Sequence, residues 1–286
     1  MNELAGIDID YLRQWAGRTE TQEQHLDPFP ARALAGLLDR ADVPGNGDAL
    51  PLPWHWLYFL DAPSREGTGA DGHPKRGGFL PPVPLPRRMW AAGELTLHKP
   101  LILGRTARKI STVRSVDLKL GKAGLLVFVT VAHELEQDGH RCLSELQHIV
   151  YREAPCAPAP LPAGELAPVD HEWMRTVMPD PVMLFRFSAL TYNGHRIHYD
   201  RDYATREEFY PALVVHAPLL ATLLLDLLAR EGHASTPPEH FSFRAQRPAF
   251  DTDRLNLFGR ATAQGAALWT TDPAGMVGMT ATARFR

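Results

Sequence analysis

The sequence predicts an α+β fold built from two similar halves, in each of which an antiparallel β-sheet wraps around a helix. A nearly continuous apolar run at residues 219–228 is typical of a helix that is enclosed on all sides. Segments in which polar and apolar residues alternate follow this run, as they do in strands with one buried face. A proline- and alanine-rich segment at residues 154–163 separates this part of the chain from an earlier part with the same order of elements.

The proline-rich segment predicts how the chain divides into domains. Proline and alanine at this density favour an extended connector, which continues neither a helix nor a sheet ladder. A chain of 286 residues with 44% hydrophobic content can bury two cores of roughly 130 to 150 residues each. We therefore expect an N-terminal domain over residues 1–153, a linker over 154–170 and a C-terminal domain over 171–286.

The second half contains clear signals for helix ends. A strand is expected over residues 172–177, and Asp180 precedes a proline, which predicts a capped helix over 182–191. Pro218 opens the apolar helix, and Gly232 stands where its C-terminal cap belongs. An antiparallel meander is predicted to follow, with strands over residues 241–245, 255–262, 267–271 and 276–285.

The first half repeats this order. Residues 31–39 follow Pro28 and Pro30 and parallel residues 218–226 in their opening proline and their apolar run. Strands are then predicted over residues 54–60, 89–97, 105–119, 125–136 and 142–151. We interpret the two halves as copies of one unit, and a generic pair of α+β domains is the alternative.

Charge and cysteine content exclude several classes of protein. The 30 basic and 33 acidic residues nearly balance, so nothing indicates nucleic-acid binding. Cys142 and Cys156 are too few for a disulfide framework or a zinc cluster and suit a reducing compartment. The acidic N-terminus lacks the features of a secretory signal, which predicts a cytoplasmic protein. The longest apolar run is about half the ~20 residues that span a bilayer, so no membrane association is expected.

The candidate site is a dense cluster of polar residues between two predicted helices. A loop rich in titratable groups beside an enclosed helix is typical of a site, because a rigid scaffold then holds polar residues at a dry cleft. His195 and His198 are three residues apart, so one helical turn would place both on the same face. The cluster comprises Asn193, His195, Arg196, His198, Asp200, Arg201 and Asp202.

Residues 184–200, LFRFSALTYNGHRIHYD, and 214–221, VVHAPLLA, closely resemble the MaoC-like and hydroxyacyl-thioester dehydratase type 2 families. In the first half, WHWLYFL at 54–60, DGHPKRGGFLPP at 71–82 and PRRMW at 86–90 resemble the branch that contains mesaconyl-C4-CoA and itaconyl-CoA hydratases. This resemblance implies a double hotdog fold and the hydration or dehydration of an acyl thioester. It also implies that the first half is a degenerate copy, which shapes the pocket, and that the second half catalyses.

The resemblance further implies roles for three residues. The family signature is an aspartate followed four residues later by a histidine, which falls on His198, but Asn193 occupies the aspartate position. An amide can orient water but is no base, so we expect His198 to carry the acid/base chemistry, with the Asn193 carbonyl holding the water. The backbone N–H of Ala217, at the start of the long helix, is expected to stabilise the enolate oxygen.

Other polar residues of the cluster have less specific interpretations. His195 is expected to contact the substrate or to serve a structural role, and Asp200 to hold the loop. His216 is interpreted as a cap or a pocket wall. His195, His198 and Asp200 could be drawn as metal ligands, but no metal-binding pattern supports this, so no metal is expected.

Four arginines are candidates for binding CoA phosphates or a substrate carboxylate, because a guanidinium binds both groups in a bidentate manner. They are Arg87, Arg88, Arg244 and Arg247, and an ordinary solvated face is the alternative for each. The glycine-rich residues 72–78 follow no phosphate-binding pattern and fit a substrate-covering or domain-bridging loop.

The expected function is hydration of a short dicarboxylic acyl-CoA, with mesaconyl-C4-CoA or itaconyl-CoA as substrate and citramalyl-CoA as product. CoA is part of the substrate, and no separate cofactor is expected. The alternatives are a 3-hydroxyacyl-thioester dehydratase acting on fatty-acyl substrates, an acyl-CoA thioesterase, and an acyl-CoA-binding module. The sequence leaves open whether the two halves pair within one chain or across a homodimer.

Overall fold

Ten strands form one continuous antiparallel β-sheet in the computed structural model, which describes residues 3–4, 6–121, 124–161, 163–231 and 236–286. A separate pair of short strands lies at the N-terminus. The strands are β1 (Glu3–Leu4), β2 (Ile7–Asp8), β3 (Thr19–His25), β4 (Arg87–Leu97), β5 (Thr106–Gly121), β6 (Gly124–Gln137), β7 (His140–Arg152), β8 (Trp173–Val177), β9 (His240–Ala245), β10 (Leu255–Thr262), β11 (Gly265–Thr271) and β12 (Val277–Arg284). The helices are α1 (Ile9–Arg13), α2 (Pro28–Leu37), α3 (Pro181–Leu190) and α4 (Ala217–Glu231).

The sheet consists of two equivalent halves. Its order is β3-β5-β6-β7-β4 in the first half and, read from the far edge, β8-β10-β11-β12-β9 in the second. The halves join where β4 pairs with β9, from Ala92 opposite Arg244 to Thr96 opposite His240. The predicted repeat is confirmed. Of the strands predicted after the long helix, β10 to β12 form a meander, whereas β9 pairs with β12 instead of β10.

The predicted helices of the second half are confirmed. Helix α3 is capped by Asp180, whose side chain accepts a hydrogen bond from the Met183 N–H at 2.8 Å. Helix α4 packs against β8, β10, β11 and β12, and every residue from Leu219 to Leu228 is buried. The strands therefore enclose this helix, as its apolar composition predicts. Gly232, the predicted cap of α4, lies outside the described residues.

Asp226 is a buried acid within the apolar helix α4. Its carboxylate lies 3.3 Å from Arg40, 2.5 Å from Arg175 and 2.8 Å from Arg230. Arg175 belongs to β8 and Arg40 follows α2, so this ion cluster connects three parts of the chain. A buried carboxylate needs such partners because burial removes its hydration.

The first half differs from the second in its helix. Helix α2 comes directly after β3, just as α3 comes directly after β8. Helix α2 is therefore the counterpart of α3, against which it packs. The prediction that it corresponds to α4 is wrong. Apart from isolated bridges at Ala49 and between Thr68 and Pro74, the described residues between α2 and β4 form a 3₁₀ turn, Trp54–Leu57, where a strand was predicted. That strand prediction is wrong because Pro51 and Pro53 precede the turn and lack the N–H that a sheet ladder needs.

The proline-rich connector contains no helix or strand in the described residues between β7 and β8, apart from an isolated bridge between Leu166 and Met276. The predicted domain limits of 1–153, 154–170 and 171–286 stay a prediction, since the two halves share one sheet. No helix in the described parts of the chain is both long enough and apolar enough to cross a membrane.

Candidate active site

Both halves of the chain line one large cavity of about 1400 Å³. The second half contributes Asn193, His195, His198 and Ala217 to its wall, all of which sequence analysis selected. The first half contributes the loop around His73 and the start of β4. The cavity therefore brings the predicted site residues together with groups from the other half of the chain.

His198 is held as a neutral base. It lies in a 3₁₀ turn, Arg196–His198, and its Nδ1 lies 2.6 Å from the Val214 carbonyl oxygen, to which it donates. The other ring nitrogen, Nε2, then carries the lone pair. Burial lowers the pKa of His198 to about 4, although the hydrogen bond to Val214 opposes this shift. The geometry suits proton abstraction at neutral pH.

A second histidine supports the ring of His198. The His216 ring stacks on that of His198 with 3.6 Å between centroids and 19° between planes. His216 Nε2 and the Ser188 hydroxyl lie 2.8 Å apart, while its Nδ1 is buried without a hydrogen-bond partner in the described structure. Burial lowers the pKa of His216 well below its ordinary value. His216 is not among the cavity-lining residues, so it is a wall behind His198.

Asn193 lines the cavity, but its amide oxygen already has a partner. The Asn193 Oδ1 accepts a hydrogen bond from the backbone N–H of His195 at 3.0 Å. One lone pair of that oxygen and the amide N–H groups are left for a water molecule. Its role in holding water stays a prediction.

The start of helix α4 provides a free backbone donor at the cavity. Ala217 is the first residue of α4, and its N–H has no intrahelical acceptor. Pro218 has no N–H, and the Leu220 N–H donates to the His216 carbonyl at 3.1 Å. The Ala217 N–H is therefore available, together with the helix dipole, for an oxygen that gains negative charge.

Asp71 and His73, for which no individual role was predicted, lie beside His195. Asp71 accepts from the His73 N–H at 3.0 Å, and its other oxygen lies 3.0 Å from His73 Nδ1. The His73 and His195 rings are 4.0 Å apart, and His195 and His198 are 5.4 Å apart. The signals in the sequence are the two titratable residues of the Asp71-Gly-His73 tripeptide and the family resemblance of residues 71–82, and neither indicates that His195 is their partner.

The loop that carries Asp71 and His73 docks tightly against the His198 segment. The Arg196 N–H donates to the Asp71 carbonyl at 2.9 Å. Gly72 has a φ of +89°, and a Cβ at this position would lie 1.8 Å from the Gly194 carbonyl oxygen. Only glycine fits such a close approach. The predicted bridging role of the glycine-rich loop therefore agrees with these contacts.

The histidines at this end of the cavity lie in a positive environment. Burial lowers the pKa of His73 to about 4, and the positive charge of Arg88 is the next largest cause of this shift. Burial also lowers the pKa of His195. Burial alone would raise the pKa of Asp71, but its hydrogen bonds to His73 and the positive charge nearby lower it to about 2. Ligand atoms of Asp71, His73 and His195 lie within 4.8 Å of one another, a spacing that suits a cation. The positive charge of Arg88 acts on Asp71, His73 and His195 and opposes the binding of a cation by them.

The four candidate arginines have different surroundings. Arg87 pairs with Glu208 at 2.5 Å and lies over the Tyr210 ring, so its guanidinium connects β4 to the second half. Arg244 is exposed on β9 and is not among the cavity-lining residues. Arg247 lines the cavity and lies 3.5 Å from Asp272. Arg88 also lines the cavity, and no carboxylate in the described structure lies within ion-pair distance of it.

Asp200 holds the loop, in agreement with its predicted role. Its Oδ2 accepts from Arg196 at 2.8 Å and its Oδ1 accepts from the Tyr203 N–H at 3.1 Å. The carboxylate is thus occupied by local contacts.

The first-half wall of the cavity is polar. Glu145 lies 3.0 Å from His55 Nε2 and accepts from the Trp56 indole N–H at 3.0 Å. Nearby, His133 Nδ1 lies 2.8 Å from the Ser111 hydroxyl. Burial would raise the pKa of Glu145, but these partners outweigh burial and lower it to about 2. A charged carboxylate on β7 therefore forms part of the first-half wall of the cavity.

The fold and the histidine site together define an acyl-thioester hydro-lyase. A family model for hydroxyacyl-thioester dehydratase type 2 matches residues 53–251, and the chain belongs to this family. It is an enzyme of the hydro-lyase class.

Its relatives include one of high similarity. The chain is 47% identical over 270 residues to the mesaconyl-C(4)-CoA hydratase of Chloroflexus aurantiacus, covering 94% of this chain and 95% of that protein. It is 29% identical over 230 residues to the mitochondrial hydroxyacyl-thioester dehydratase type 2 of Schizosaccharomyces pombe, covering 71% and 75%. Among solved structures, a MaoC-like dehydratase from Phytophthora capsici matches with a TM-score of 0.69 at 10% identity, covering 98% and 100%. This likeness confirms the predicted double hotdog fold.

Proposed function

We propose that this enzyme adds water to a short enoyl-CoA that carries a second carboxyl group, with mesaconyl-C4-CoA as the main substrate and citramalyl-CoA as the product. The observation that carries the proposal is the pairing of a neutral His198 with the free Ala217 N–H in one cavity. The similarity to a mesaconyl-C(4)-CoA hydratase over nearly the whole chain supports this substrate. Itaconyl-CoA is a second substrate to be tested.

The mechanism follows from these two groups. The thioester oxygen accepts from the Ala217 N–H, which draws electrons from the double bond and makes the β-carbon electrophilic. His198 Nε2 takes a proton from water as the water oxygen bonds to the β-carbon. The same imidazolium then returns the proton to the α-carbon as the enolate collapses. One histidine thus delivers both parts of water, and Asn193 holds the water in place.

The polar first-half wall favours a short substrate over a fatty-acyl chain. A long acyl chain needs an apolar tunnel, whereas Glu145, His55 and His133 place a charge and imidazoles on this wall. A long chain of methylene groups packed on this wall would lie against a charged carboxylate and imidazoles instead of apolar side chains. A fatty-acyl 3-hydroxyacyl-thioester dehydratase is the alternative, since the yeast relatives carry that family name.

The proposal also covers the cofactor, the partners, the cellular location and the oligomeric state. Hydration transfers no electrons, and we propose that His198 and the Ala217 N–H carry it without a separate cofactor. The partner is an acyl-CoA thioester, and we propose a cytoplasmic enzyme that binds neither nucleic acid nor membrane. The continuous sheet pairs the two halves within one chain, which makes a homodimer unnecessary for completing the site.

A panel of enoyl-CoA esters tests the proposal. The purified protein is incubated with mesaconyl-C4-CoA, itaconyl-CoA and straight-chain 2-enoyl-CoA esters, and mass spectrometry follows the gain of water. Hydration of the dicarboxylic substrates ahead of the straight-chain ones is expected. A preference for long straight chains would favour the fatty-acyl alternative. Release of free CoA thiol, followed with a thiol reagent, would indicate a thioesterase, and binding without turnover would indicate a binding module.

A further inference from the structure

Next to His198 the cavity ends in a positively charged recess formed by Arg88, His73 and His195. Arg88 lies on β4 directly opposite Tyr151 of β7. Arg76 lies over the same Tyr151 ring, with its guanidinium carbon 5.2 Å from the ring centroid. Arg87 and Glu208 also border this recess and neutralise each other. Arg76 and Arg88 against the carboxylate of Asp71 then leave a net positive charge.

The polar groups of the recess differ in whether they already have a hydrogen-bond or ion-pair partner in the protein. Arg76 donates to the carbonyl oxygens of Val83, Leu85 and Pro86, so it supports the loop. His195 is buried, lines the cavity and has no side-chain hydrogen bond within the described structure. Arg88 has no ion-pair partner there either, and its polar neighbour is the Tyr151 hydroxyl. Arg88 and His195 are therefore donors without an anionic acceptor.

We propose that Arg88, His195 and His73 form the subsite that binds the second carboxylate of the substrate, with Asp71 orienting His73. The inference rests on the proposed function and identifies the residues that read the acyl group. It assigns Arg88 to the acyl group instead of the CoA phosphates, and it gives the first half a direct role in recognition.

The geometry agrees with the position of that carboxylate. In mesaconyl-C4-CoA the free carboxylate is attached to the β-carbon, which is the atom that water attacks. The subsite must therefore adjoin His198, and the His195 ring does so at 5.4 Å between centroids. The thioester oxygen, two carbons away, would face the Ala217 N–H.

The two histidines complete the recognition of an anion. His73 uses its Nδ1–H on Asp71, so its Nε2 donates to a bound anion only after the ring takes up a proton. Two flanking carboxylates, one from Asp71 and one from the substrate, favour that uptake. His195 donates from either ring nitrogen because no protein group fixes its tautomer.

The test compares two substrates that differ only in the group to be recognised. 3-Methylcrotonyl-CoA carries a methyl group where mesaconyl-C4-CoA carries the carboxylate. Arg88→Gln is expected to lower kcat/KM for mesaconyl-C4-CoA by on the order of 10- to 100-fold, with the turnover of 3-methylcrotonyl-CoA within a few-fold of wild type. Arg88→Lys should recover part of the loss, and Arg114→Gln, an exposed arginine on β5, is the matched control.

Variants of the first-half loop provide a second test. His73→Gln and Asp71→Asn are expected to raise KM for mesaconyl-C4-CoA more than for 3-methylcrotonyl-CoA, since only the former contacts the recess. Equal losses on both substrates, or a loss confined to kcat, would overturn the subsite. Failure of the wild-type protein to hydrate mesaconyl-C4-CoA would instead contradict the proposed function. The subsite would then be tested on whichever carboxylated enoyl-CoA of the panel reacts.

Discussion

The imidazole rings of His198 and His216 stack with their centroids 3.6 Å apart. This contact and the hydrogen bond from His198 Nδ1 to the Val214 carbonyl fix the ring from two directions. Because both rings are buried, a positive charge on either one is costly. The stack therefore holds His198 in the form that accepts a proton.

His198→Ala removes the proposed proton carrier. We expect kcat for hydration to fall by about 10²- to 10⁴-fold, the usual contribution of general acid–base catalysis. The loss of enoyl-thioester absorbance measures the rate, and His140→Ala, at an exposed histidine, is the control. Turnover within a few-fold of wild type would exclude His198 as the acid/base.

The pH dependence of catalysis follows from the lowered pKa of His198. Burial lowers this pKa from 6.5 to about 4, so the base form persists well below neutral pH. We expect kcat at saturating substrate, which is free of the protonation of His73 on binding, to stay level as the pH falls through 6.5 and to decline only as it approaches about 4. Steady-state rates in buffers of constant ionic strength test this. A decline centred near the ordinary histidine pKa would contradict the neutral, buried state.

Stability should depend on pH through the same group. Since the folded pKa of about 4 is below the unfolded value of 6.5, the unfolded chain binds more protons between these values. The contribution of His198 to stability is full above pH 6.5 and is lost as the pH falls toward 4. The free energy of unfolding in urea should therefore decrease over this window. His73, His195 and His216 contribute to this decrease with the same sign. His198→Gln should therefore make the decrease shallower without removing it, and His140→Gln should leave its slope unchanged.

Gly72→Ala tests whether docking of the first-half loop is required. The added Cβ would meet the Gly194 carbonyl at 1.8 Å, so the loop must move away from the His198 segment. Gly47→Ala is a matched control because Gly47 has nearly the same φ, +87°, with nothing within 4 Å of the added atom. Both variants should lose about 1 kcal/mol of stability from backbone strain, but only Gly72→Ala should lose most hydratase activity. Equal activities would contradict this role.

Asp226→Asn tests the buried ion cluster. Removing this charge leaves Arg40, Arg175 and Arg230 without their shared carboxylate. Breaking a buried pair typically costs about 3–5 kcal/mol of unfolding free energy, measured here by urea denaturation. Asp202→Asn is the control, since Asp202 is exposed and lies 3.7 Å from an exposed Arg206. If both substitutions lowered the free energy of unfolding by the same small amount, the ion cluster would add nothing to stability.

The sequence by itself determined the repeat, most strands, the enclosed helix α4 and the segment that carries His198. These features depend on local periodicity, caps and prolines, which act over a few residues. The same local signals found the first-half helix but matched it to the wrong helix of the second half. The apolar run at 31–39 resembles α4, and only its position directly after β3 identifies α2 as the counterpart of α3.

Tertiary structure decided which groups meet at the site. Asp71 and His73 lie more than a hundred residues before His195, and the close approach of Gly72 to Gly194 brings them together. The same packing decided which arginine has an ion-pair partner. Both Arg87 and Arg88 line the cavity, but only Arg87 pairs with Glu208, and no carboxylate of the described residues lies within ion-pair distance of Arg88. Such contacts depend on long-range packing and on burial, and neither is encoded in the spacing of residues along the chain.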